Sequence, residues 1–272
     1  DMMTNMNRAL KIIPGIMCAG ILLVSCEGSE KNTSGGDGAV PVVELEGYHY
    51  DAIAQLPDSL AVPVEGGEYM RMKGQGMLPV KINGRDVAQL RDSLEKIASV
   101  TVLSRTASEP RIGNGYKIAA ISADTVSACG FYGNQLSVSL CTPQLIVWKD
   151  YSSGYICHAA HGTYSTSFIN YSIEKGKILQ LGDIMATGYE KELLSLIRKK
   201  IADAKVDLTV DIDEVGMPSE FEVTSNGLNF LYGIYEIAPY SEGEVSVDFQ
   251  SYELVDLFAP GAMELLYGPE TE

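Results

Sequence analysis

The chain has 272 residues, of which 46% are hydrophobic, and this is enough apolar material for a buried core. Its 36 acidic and 20 basic residues give a formal net charge of −16 at pH 7, which excludes nucleic acid as a partner because the phosphate backbone attracts basic proteins. Such acidity either keeps the protein soluble or attracts a basic partner.

The first 25 residues are organised like a secretory signal peptide. Arg8 and Lys11 precede an apolar stretch, residues 12–24, which is too short to span a bilayer because spanning takes about 20 residues. The sequence Leu23-Val24-Ser25-Cys26 then resembles the lipobox of bacterial lipoproteins. The resemblance implies that Cys26 carries the lipid, with acyl chains such as palmitate, and becomes the mature N-terminus. An incidental cysteine after an ordinary signal, or a buried N-terminal strand, are the alternatives.

The segment after the lipobox predicts a flexible tether. Residues 27–39 are rich in glycine, serine and charge, and they have little apolar surface to bury. We therefore assign residues 26–45 to a lipid-anchored linker. The folded part then divides into an N-terminal α/β subdomain, residues 46–110, and a larger domain, residues 111–272. Removal of residues 1–25 leaves 18 basic and 35 acidic residues, a mature net charge of −17.

One amphipathic helix is predicted early in the folded part, over residues 83–97. Its apolar residues recur at helical spacing and Asn83 is the expected N-cap. After residue 111 the pattern changes to strands separated by glycine-bearing turns, which predicts an antiparallel meander. The helix positions are Val87, Leu90, Leu94 and Ile97, and the strands are residues 116–126, 136–140, 145–148 and 168–173.

A second helix is predicted after a capping box formed by Thr187 and Glu190. Its apolar face holds Leu193, Leu194, Ile197 and Ile201. Beyond it, strands at residues 221–223 and 228–237 flank a turn at 225–227, residues 245–249 alternate as a strand, and residues 252–258 predict a short helix. Strands grouped around single helices indicate an α+β fold with antiparallel β-sheets and a few packed helices.

Three cysteines lie in the folded part, at Cys129, Cys141 and Cys157. An exported location permits disulfides, and an odd number leaves at least one cysteine without a partner among the three. Cys129 and Cys141 face each other only if a hairpin turns near Gln135, whereas Gly133-Asn134 is the more obvious turn. The sequence leaves the disulfide pairing open.

Several short motifs lie between residues 116 and 266. The most specific is Tyr235–Tyr240, with the sequence Tyr-Glu-Ile-Ala-Pro-Tyr. The others are Ala160-His161-Gly162, Asn170-Tyr171, Gly176-Lys177, Leu181–Ile184, Phe221–Leu228, Gly243 and Ser251–Leu254. Together these motifs resemble the RsiV-type family, which is catalogued as a domain of unknown function.

The resemblance implies a binding module at the cell envelope. In the named member of that family, the domain is the extracellular half of a membrane anti-sigma factor that binds lysozyme, and relatives precede peptidoglycan deacetylase domains. After its signal this sequence has no transmembrane helix and no sigma-binding region, so direct sigma regulation is not implied. The expected partner is therefore a basic envelope protein such as lysozyme, or peptidoglycan.

Two groups of residues suggest metal ligands. His158 and His161 share a face only on a helix, whereas the residues that follow them predict a strand, so a turn or structural role is favoured over a metal site. The acidic run Asp207, Asp211, Asp213 and Glu214 lacks the glycine-centred spacing of an EF-hand and predicts a solvated strand edge. We expect no metal and no cofactor.

No assembled catalytic motif is found in the sequence, neither a nucleophile elbow nor a zinc-protease motif. Gly74-Gln75-Gly76 is an incomplete phosphate-loop fragment and predicts a turn. Glu236 and Asp248 are a candidate acid/base pair, but a glycosidase assignment requires their carboxyl separation. A non-enzymatic binding lipoprotein is thus favoured over an enzyme acting on envelope glycans or a purely structural surface protein.

Aromatic residues offer a second indication of binding. The fifteen tyrosines, six phenylalanines and Trp148 either line a sugar- or protein-binding face or fill the cores of the sheets. Tyr235 and Tyr240 belong to the most specific motif and serve either the fold or a ligand.

Overall fold

One large sheet dominates the computed structural model, which describes residues 22–24, 41–55, 69–98, 111–112, 116–118 and 127–269. Within these ranges the spatial order of its strands is β10-β9-β8-β7-β3-β2-β6-β5, with β1 paired to β2 and β4 paired to β3. The strands are β1 (Leu22–Val24), β2 (Val43–Gln55), β3 (Tyr69–Ile82), β4 (Arg85–Asp86), β5 (Arg111–Ile112), β6 (Tyr116–Ile118), β7 (Gly130–Cys141), β8 (Leu145–Tyr155), β9 (Thr163–Ser172) and β10 (Lys177–Ile178).

A second sheet and three helices complete the described part of the chain. The small sheet has the order β11-β12-β13 and is antiparallel. The predicted α+β class, with antiparallel sheets and a few helices, is confirmed. The remaining elements are α1 (Ala88–Ile97), α2 (Glu190–Ala204), β11 (Glu220–Val223), β12 (Gly227–Tyr232), β13 (Val245–Gln250) and α3 (Ala262–Tyr267).

The large sheet joins the two predicted domains. β7, β8 and β9 form the antiparallel meander predicted for the later strands, and β10 extends it. Residues 116–118 of the first strand predicted for the meander instead form β6, which pairs with β2 and β5. β3, which precedes the proposed boundary at residue 111, pairs in parallel with β7, which follows it. A parallel pair needs a long crossover between its strands, and here α1 lies in that crossover.

Two hydrophobic cores lie on opposite faces of the large sheet. Side chains alternate across a strand, so in β8 the residues Ile146 and Trp148 enter the core on the α1 side, while Leu145 and Val147 enter the core formed with α2 and the small sheet. This two-sided burial explains the uninterrupted apolar run at the start of β8. We call the second of these the C-terminal core.

The predicted N-cap of α1 is wrong. The helix begins at Ala88 with Val87 as N-cap, whereas Asn83 has a φ of 50° and Gly84 a φ of 75° in the turn between β3 and β4. Asn-Gly is the preferred pair for such a two-residue hairpin turn, since both positions need positive φ. The Asn83 side chain instead accepts a hydrogen bond from the Val42 backbone N–H at 2.9 Å.

The second predicted helix is confirmed as α2, and Leu193, Ile197 and Ile201 are buried along one face. Its predicted capping box is wrong. The helix begins at Glu190 after Tyr189, and no side chain caps it. Gly188, at a φ of 83°, lies in a turn that separates Thr187 from the helix.

The C-terminal elements differ from prediction in length. β12 ends at Tyr232 rather than at residue 237. Residues 252–258 form two short 3-10 helices, Ser251–Glu253 and Val255–Leu257, in place of one helix. α3 was not predicted.

A disulfide joins Cys129 to Cys157, with a Cα–Cα distance of 5.2 Å. The register of β7 and β8 accounts for it, because Phe131 pairs with Tyr155 and two further residues bring the cysteines opposite each other. The Cys129–Cys141 bridge considered from the sequence is therefore not formed. β7 continues through Gly133 and Asn134, and the hairpin turns after Cys141.

The predicted lipid site, Cys26, lies outside the described residues, as does most of the predicted signal and tether. Residues 22–24 of the predicted signal form β1, which pairs with β2, and β2 begins at Val43, before the expected end of the linker at residue 45. A strand at these three residues corresponds to the alternative of an N-terminal strand given above. Export of the protein stays a prediction. Among the helices described, none has both the length and the apolar character that a bilayer crossing requires.

Candidate functional site

Five aromatic side chains meet at the surface where the large sheet adjoins the C-terminal core. We call them the aromatic cluster: Tyr151, His161, Tyr164, Tyr235 and Tyr240. Ring centroids are 4.3 Å apart for His161 and Tyr240, 5.7 Å for Tyr235 and Tyr240, and 5.8 Å for His161 and Tyr235. Tyr164 lies 6.2 Å from Tyr240 and 6.3 Å from Tyr151. These are the separations of interacting aromatic pairs.

Two separate stretches of chain supply the rings of the aromatic cluster. β8 and β9 carry Tyr151 and Tyr164, the turn between these strands carries His161, and the loop between β12 and β13 carries the other two. Gly243 in that loop allows close approach, since a Cβ there would lie 2.6 Å from the Tyr164 hydroxyl oxygen, and its φ of 75° also favours glycine. The cluster therefore forms only in the folded chain.

A hydrogen-bond relay fixes the tip of the cluster. His161 Nδ1 lies 2.8 Å from the Gly162 carbonyl oxygen, which can only accept, so this nitrogen carries the proton. Nε2 then accepts a hydrogen bond of 2.8 Å from the Tyr235 hydroxyl. Tyr235 has a φ of 65°, which is uncommon for a bulky residue and marks backbone strain held by its surroundings.

The aromatic cluster faces solvent. Tyr235 is 55% exposed and Tyr151 is 41% exposed, and His161 is exposed as well. Aromatic rings with polar ends are enriched in recognition surfaces because they combine apolar contact area with a hydrogen-bonding group. The cluster is thus suited to contact another molecule.

Three carboxylates flank the cluster. Glu244 accepts hydrogen bonds from the Thr166 backbone N–H at 2.6 Å and from its hydroxyl at 2.8 Å. Glu236 accepts from the Ser219 hydroxyl at 2.9 Å and from a backbone N–H at 2.7 Å. Burial raises the pKa of the Glu220 carboxyl, and repulsion from Glu236 and Glu244 raises it further. The electrostatic potential beside the aromatic rings is therefore negative.

The candidate metal ligands do not assemble into a site. His158 and His161 lie in a turn, and both ring nitrogens of His161 are already in hydrogen bonds. Asp211 accepts a hydrogen bond from the Asp213 backbone N–H at 3.0 Å and so caps a 3-10 helix, Ile212–Glu214, in place of the expected strand edge. In the part of the chain that the structure describes, no three His, Cys, Asp or Glu residues are grouped to hold a metal.

The candidate catalytic residues are also kept apart. Glu236 follows the Tyr232 end of β12, whereas Asp248 pairs with Asn229, three residues back along that strand, about 10 Å at the usual rise per residue. The predicted turn at Gly74-Gln75-Gly76 is wrong, because all three lie within β3. Gly76 is needed for packing, since a Cβ there would lie 2.7 Å from Leu136 Cβ.

A buried polar network was missed by the sequence reasoning. Asp150 in β8 accepts hydrogen bonds from the Asn134 side-chain amide and, at 2.9 Å, from the Ser152 hydroxyl. The Tyr48 hydroxyl donates to the side-chain oxygen Oδ1 of Asn134 at 2.6 Å. Burial raises the pKa of Asp150 to about 6. The only sequence signal is a carboxylate on the inward side of an apolar strand.

Of the residues considered from the sequence, Tyr235, Tyr240 and His161 come together in the aromatic cluster. The sequence left open whether the two tyrosines serve the fold or a ligand, and for His161 it favoured a turn or structural role over a metal site. Tyr151 and Tyr164 were missed, because the cluster depends on contacts between distant stretches of chain that leave no signal in the sequence. The hydrogen bond between His161 and Tyr235, for example, joins residues 74 positions apart.

Comparison with known proteins places part of this site in a described domain. A family model described as a protein of unknown function (DUF3298) matches residues 182–251, which include α2 and the small sheet. No curated protein matches the sequence.

Two solved structures resemble the whole fold. A member of the DUF3298 family from Bacteroides fragilis is 19% identical, with a TM-score of 0.52 over 82% of this chain and 97% of that chain. A DUF3298 family protein from Pseudomonas aeruginosa is 17% identical, with a TM-score of 0.51 over 83% and 98%. Residues 182–251 thus form a DUF3298 domain, within a chain that shares its fold with two solved DUF3298 proteins.

Proposed function

We propose that this protein is a non-enzymatic lipoprotein of the bacterial cell envelope, held on the membrane by a lipid on Cys26, which binds a basic protein partner of the lysozyme type. The observation that carries the proposal is the exposed aromatic cluster beside three glutamates. The resemblance of residues 221–254 to the RsiV-type family supports the choice of partner.

Chemistry at the surface matches such a partner. Tyr235 and Tyr240 offer rigid apolar area with hydroxyl groups, which are properties of residues that dominate binding energy in protein interfaces. Glu236 and Glu244 lie beside them and attract cationic side chains. The net charge of −16 adds long-range attraction for a basic protein.

Binding is favoured over enzymatic activity because the carboxylates of the site already accept hydrogen bonds from other parts of the folded chain. Glu244 and Glu220 accept backbone N–H groups of β9, and Glu236 accepts hydrogen bonds from the Gly233 N–H of its own loop and from the Ser219 hydroxyl just before β11. A general acid or base must be free to reach the proton that it transfers.

Surface plasmon resonance of the full chain against several lysozymes tests the proposal. We expect saturable binding, with an association rate that falls steeply between low and physiological salt because the Debye length shortens to about 8 Å at 0.15 M. Dissociation should change less. Tyr235→Ala should weaken binding by at least about tenfold.

A matched control is Tyr252→Ala, since Tyr252 is 75% exposed on a 3-10 helix outside the aromatic cluster. This variant should bind like the unmodified chain. Absence of saturable binding at micromolar concentration, or equal binding by Tyr235→Ala, would remove the proposed partner.

A further inference from the structure

Part of the large sheet is left uncovered by the C-terminal core. We call this the open sheet face. It is formed by side chains that point away from Met70 and Met72, which are buried on the α1 side. Neighbouring strands align these side chains in register, with Arg71 opposite Phe131 and Gln75 opposite Gln135. The described side chains on this face are His49, Asp51, Ile53, Arg71, Lys73, Gln75, Phe131, Gln135, Ser137, Lys149, Tyr151, Ser153 and Tyr155, and of these Ile53, at one end of the face, is buried.

The open sheet face is basic in an otherwise acidic chain. Arg71 and Lys73 both approach Asp51, at 2.8 Å and 3.5 Å, so two cations share one carboxylate. Lys149 lies 5.9 Å from the centre of the Phe168 ring and has no ion pair among the described residues. Among the described side chains, three cations share this face with Asp51, and Glu244 lies at its edge, where it accepts a hydrogen bond from Thr166 opposite Tyr151. Cations therefore outnumber anions here, whereas acids outnumber bases by 36 to 20 in the whole sequence.

The shape of the open sheet face suits an extended ligand. Phe131 is 50% exposed, and its cross-strand partner Tyr155 lies four residues from the exposed Tyr151, about 13 Å along the strand. Between them lie small residues, Gly133 and Ser153, which do not project between the two rings. A ligand that contacts both aromatic rings must therefore be a chain rather than a single small molecule.

We propose that the open sheet face binds an anionic cell-wall glycan strand, a linear polysaccharide that carries carboxylates; this rests on the envelope location proposed above. Phe131 and Tyr151 stack on sugar rings, because aromatic faces offer flat apolar area. Lys149, Lys73 and Arg71 bind the carboxylates, and Gln135 bonds the hydroxyl groups.

Co-sedimentation of the full chain with purified peptidoglycan sacculi tests the proposal. The test variant combines Phe131→Ala with Lys149→Gln, and both residues lie outside the hydrogen-bonded tip of the aromatic cluster. The matched control combines Tyr252→Ala with Lys191→Gln, on exposed positions elsewhere. We expect the test variant to lose at least about tenfold in affinity and the control to bind normally. Circular dichroism and a thermal melt confirm that both fold.

A soluble peptidoglycan oligosaccharide and a neutral chitin oligosaccharide of the same length separate the charge from the aromatic contribution. The carboxylate-bearing probe should bind more tightly, and rising salt should remove its advantage. Equal affinity for the two probes, or normal binding by the test variant, overturns the proposal. Sedimentation velocity that shows self-association abolished in the test variant assigns the face to a second copy and also overturns it.

The two proposals fail separately. Tyr235→Ala should leave binding to sacculi unchanged, and the Phe131 and Lys149 variant should leave lysozyme binding unchanged. Loss of the glycan interaction alone leaves the protein partner in place, and loss of lysozyme binding alone leaves the glycan proposal standing.

Discussion

At the residue scale, Asp150 is the clearest departure from simple burial of apolar side chains. It is buried in β8 on the side of the α1 core, where an ionised carboxylate is costly. Hydrogen bonds from Asn134 and Ser152 partly compensate, yet burial dominates and raises its pKa to about 6. Such a group binds its proton more tightly in the folded chain than in the unfolded chain.

Asp150→Asn should change how stability depends on pH. Because the folded pKa is raised from 3.8, the stability that this group contributes is complete at low pH and is lost as the pH rises through about 6. Relative to the variant, the unmodified chain should therefore gain about 2 kcal/mol in unfolding free energy between pH 7 and pH 4.5. Urea denaturation at the two pH values measures this difference.

Asp183→Asn is the control with opposite sign. The Lys177 ammonium and the Gln180 backbone N–H lower the pKa of Asp183, so its stabilising effect is present at neutral pH and is lost as the pH falls. Relative to this variant, the unmodified chain should lose stability at low pH. A shift of the same sign in both comparisons would contradict the assignment of the pH dependence to Asp150.

At the element scale, side chains supply hydrogen bonds along the edge of β9 beyond its short pairing with β10. Asn170 in β9 donates to the Phe221 carbonyl oxygen at 3.0 Å and accepts from the Val223 N–H at 2.8 Å, so it joins the large sheet to β11. Glu244 and Glu220 accept the N–H groups of Thr166 and Phe168 farther along the same edge. An edge covered in this way cannot pair with another chain.

Asn170→Ala should destabilise the chain by about 2 to 5 kcal/mol, because it leaves a buried N–H group and a buried backbone carbonyl without partners. Equilibrium unfolding in urea measures the loss. Asn229→Ala is the control. In the described structure the Asn229 side chain accepts one hydrogen bond, from Ser246 at an exposed position, so this substitution should lower the free energy of unfolding by less than about 1 kcal/mol. Equal losses would show that Asn170 does not join the two sheets.

Element prediction from sequence succeeded where one face of an element is buried and failed at its ends. α2 was found from the spacing of Leu193, Ile197 and Ile201, because helical periodicity is a local property. The ends depend on competing turns, as Asn83 shows by forming a hairpin turn instead of a cap. The parallel pairing of β3 with β7 has no local signal, since it joins distant stretches of chain.

At the scale of the whole molecule, the aromatic cluster proposed to bind a partner forms where segments that are far apart in sequence meet. Tyr235 and Tyr240 were identified within one motif, but their contact with His161 and Tyr164 depends on how the small sheet docks on β9. Composition gave the acidic net charge correctly, yet it gave no indication that one sheet face is basic. Distribution of charge follows from strand register, which fixes the face to which each side chain points.

Anchoring is the last prediction and concerns the whole chain. Replacement of Cys26 by Ser should abolish labelling by a fatty-acid probe and release the protein from membranes into the soluble fraction, because the lipid supplies the bilayer affinity while a mature charge of −17 is repelled by anionic lipids. Cys18→Ser is the control, since Cys18 lies in the segment that the proposed cleavage would remove, and it should leave labelling and fractionation unchanged. Membrane attachment that persists in the Cys26→Ser variant would refute lipid anchoring, and labelling lost in both variants would point to a general failure of export.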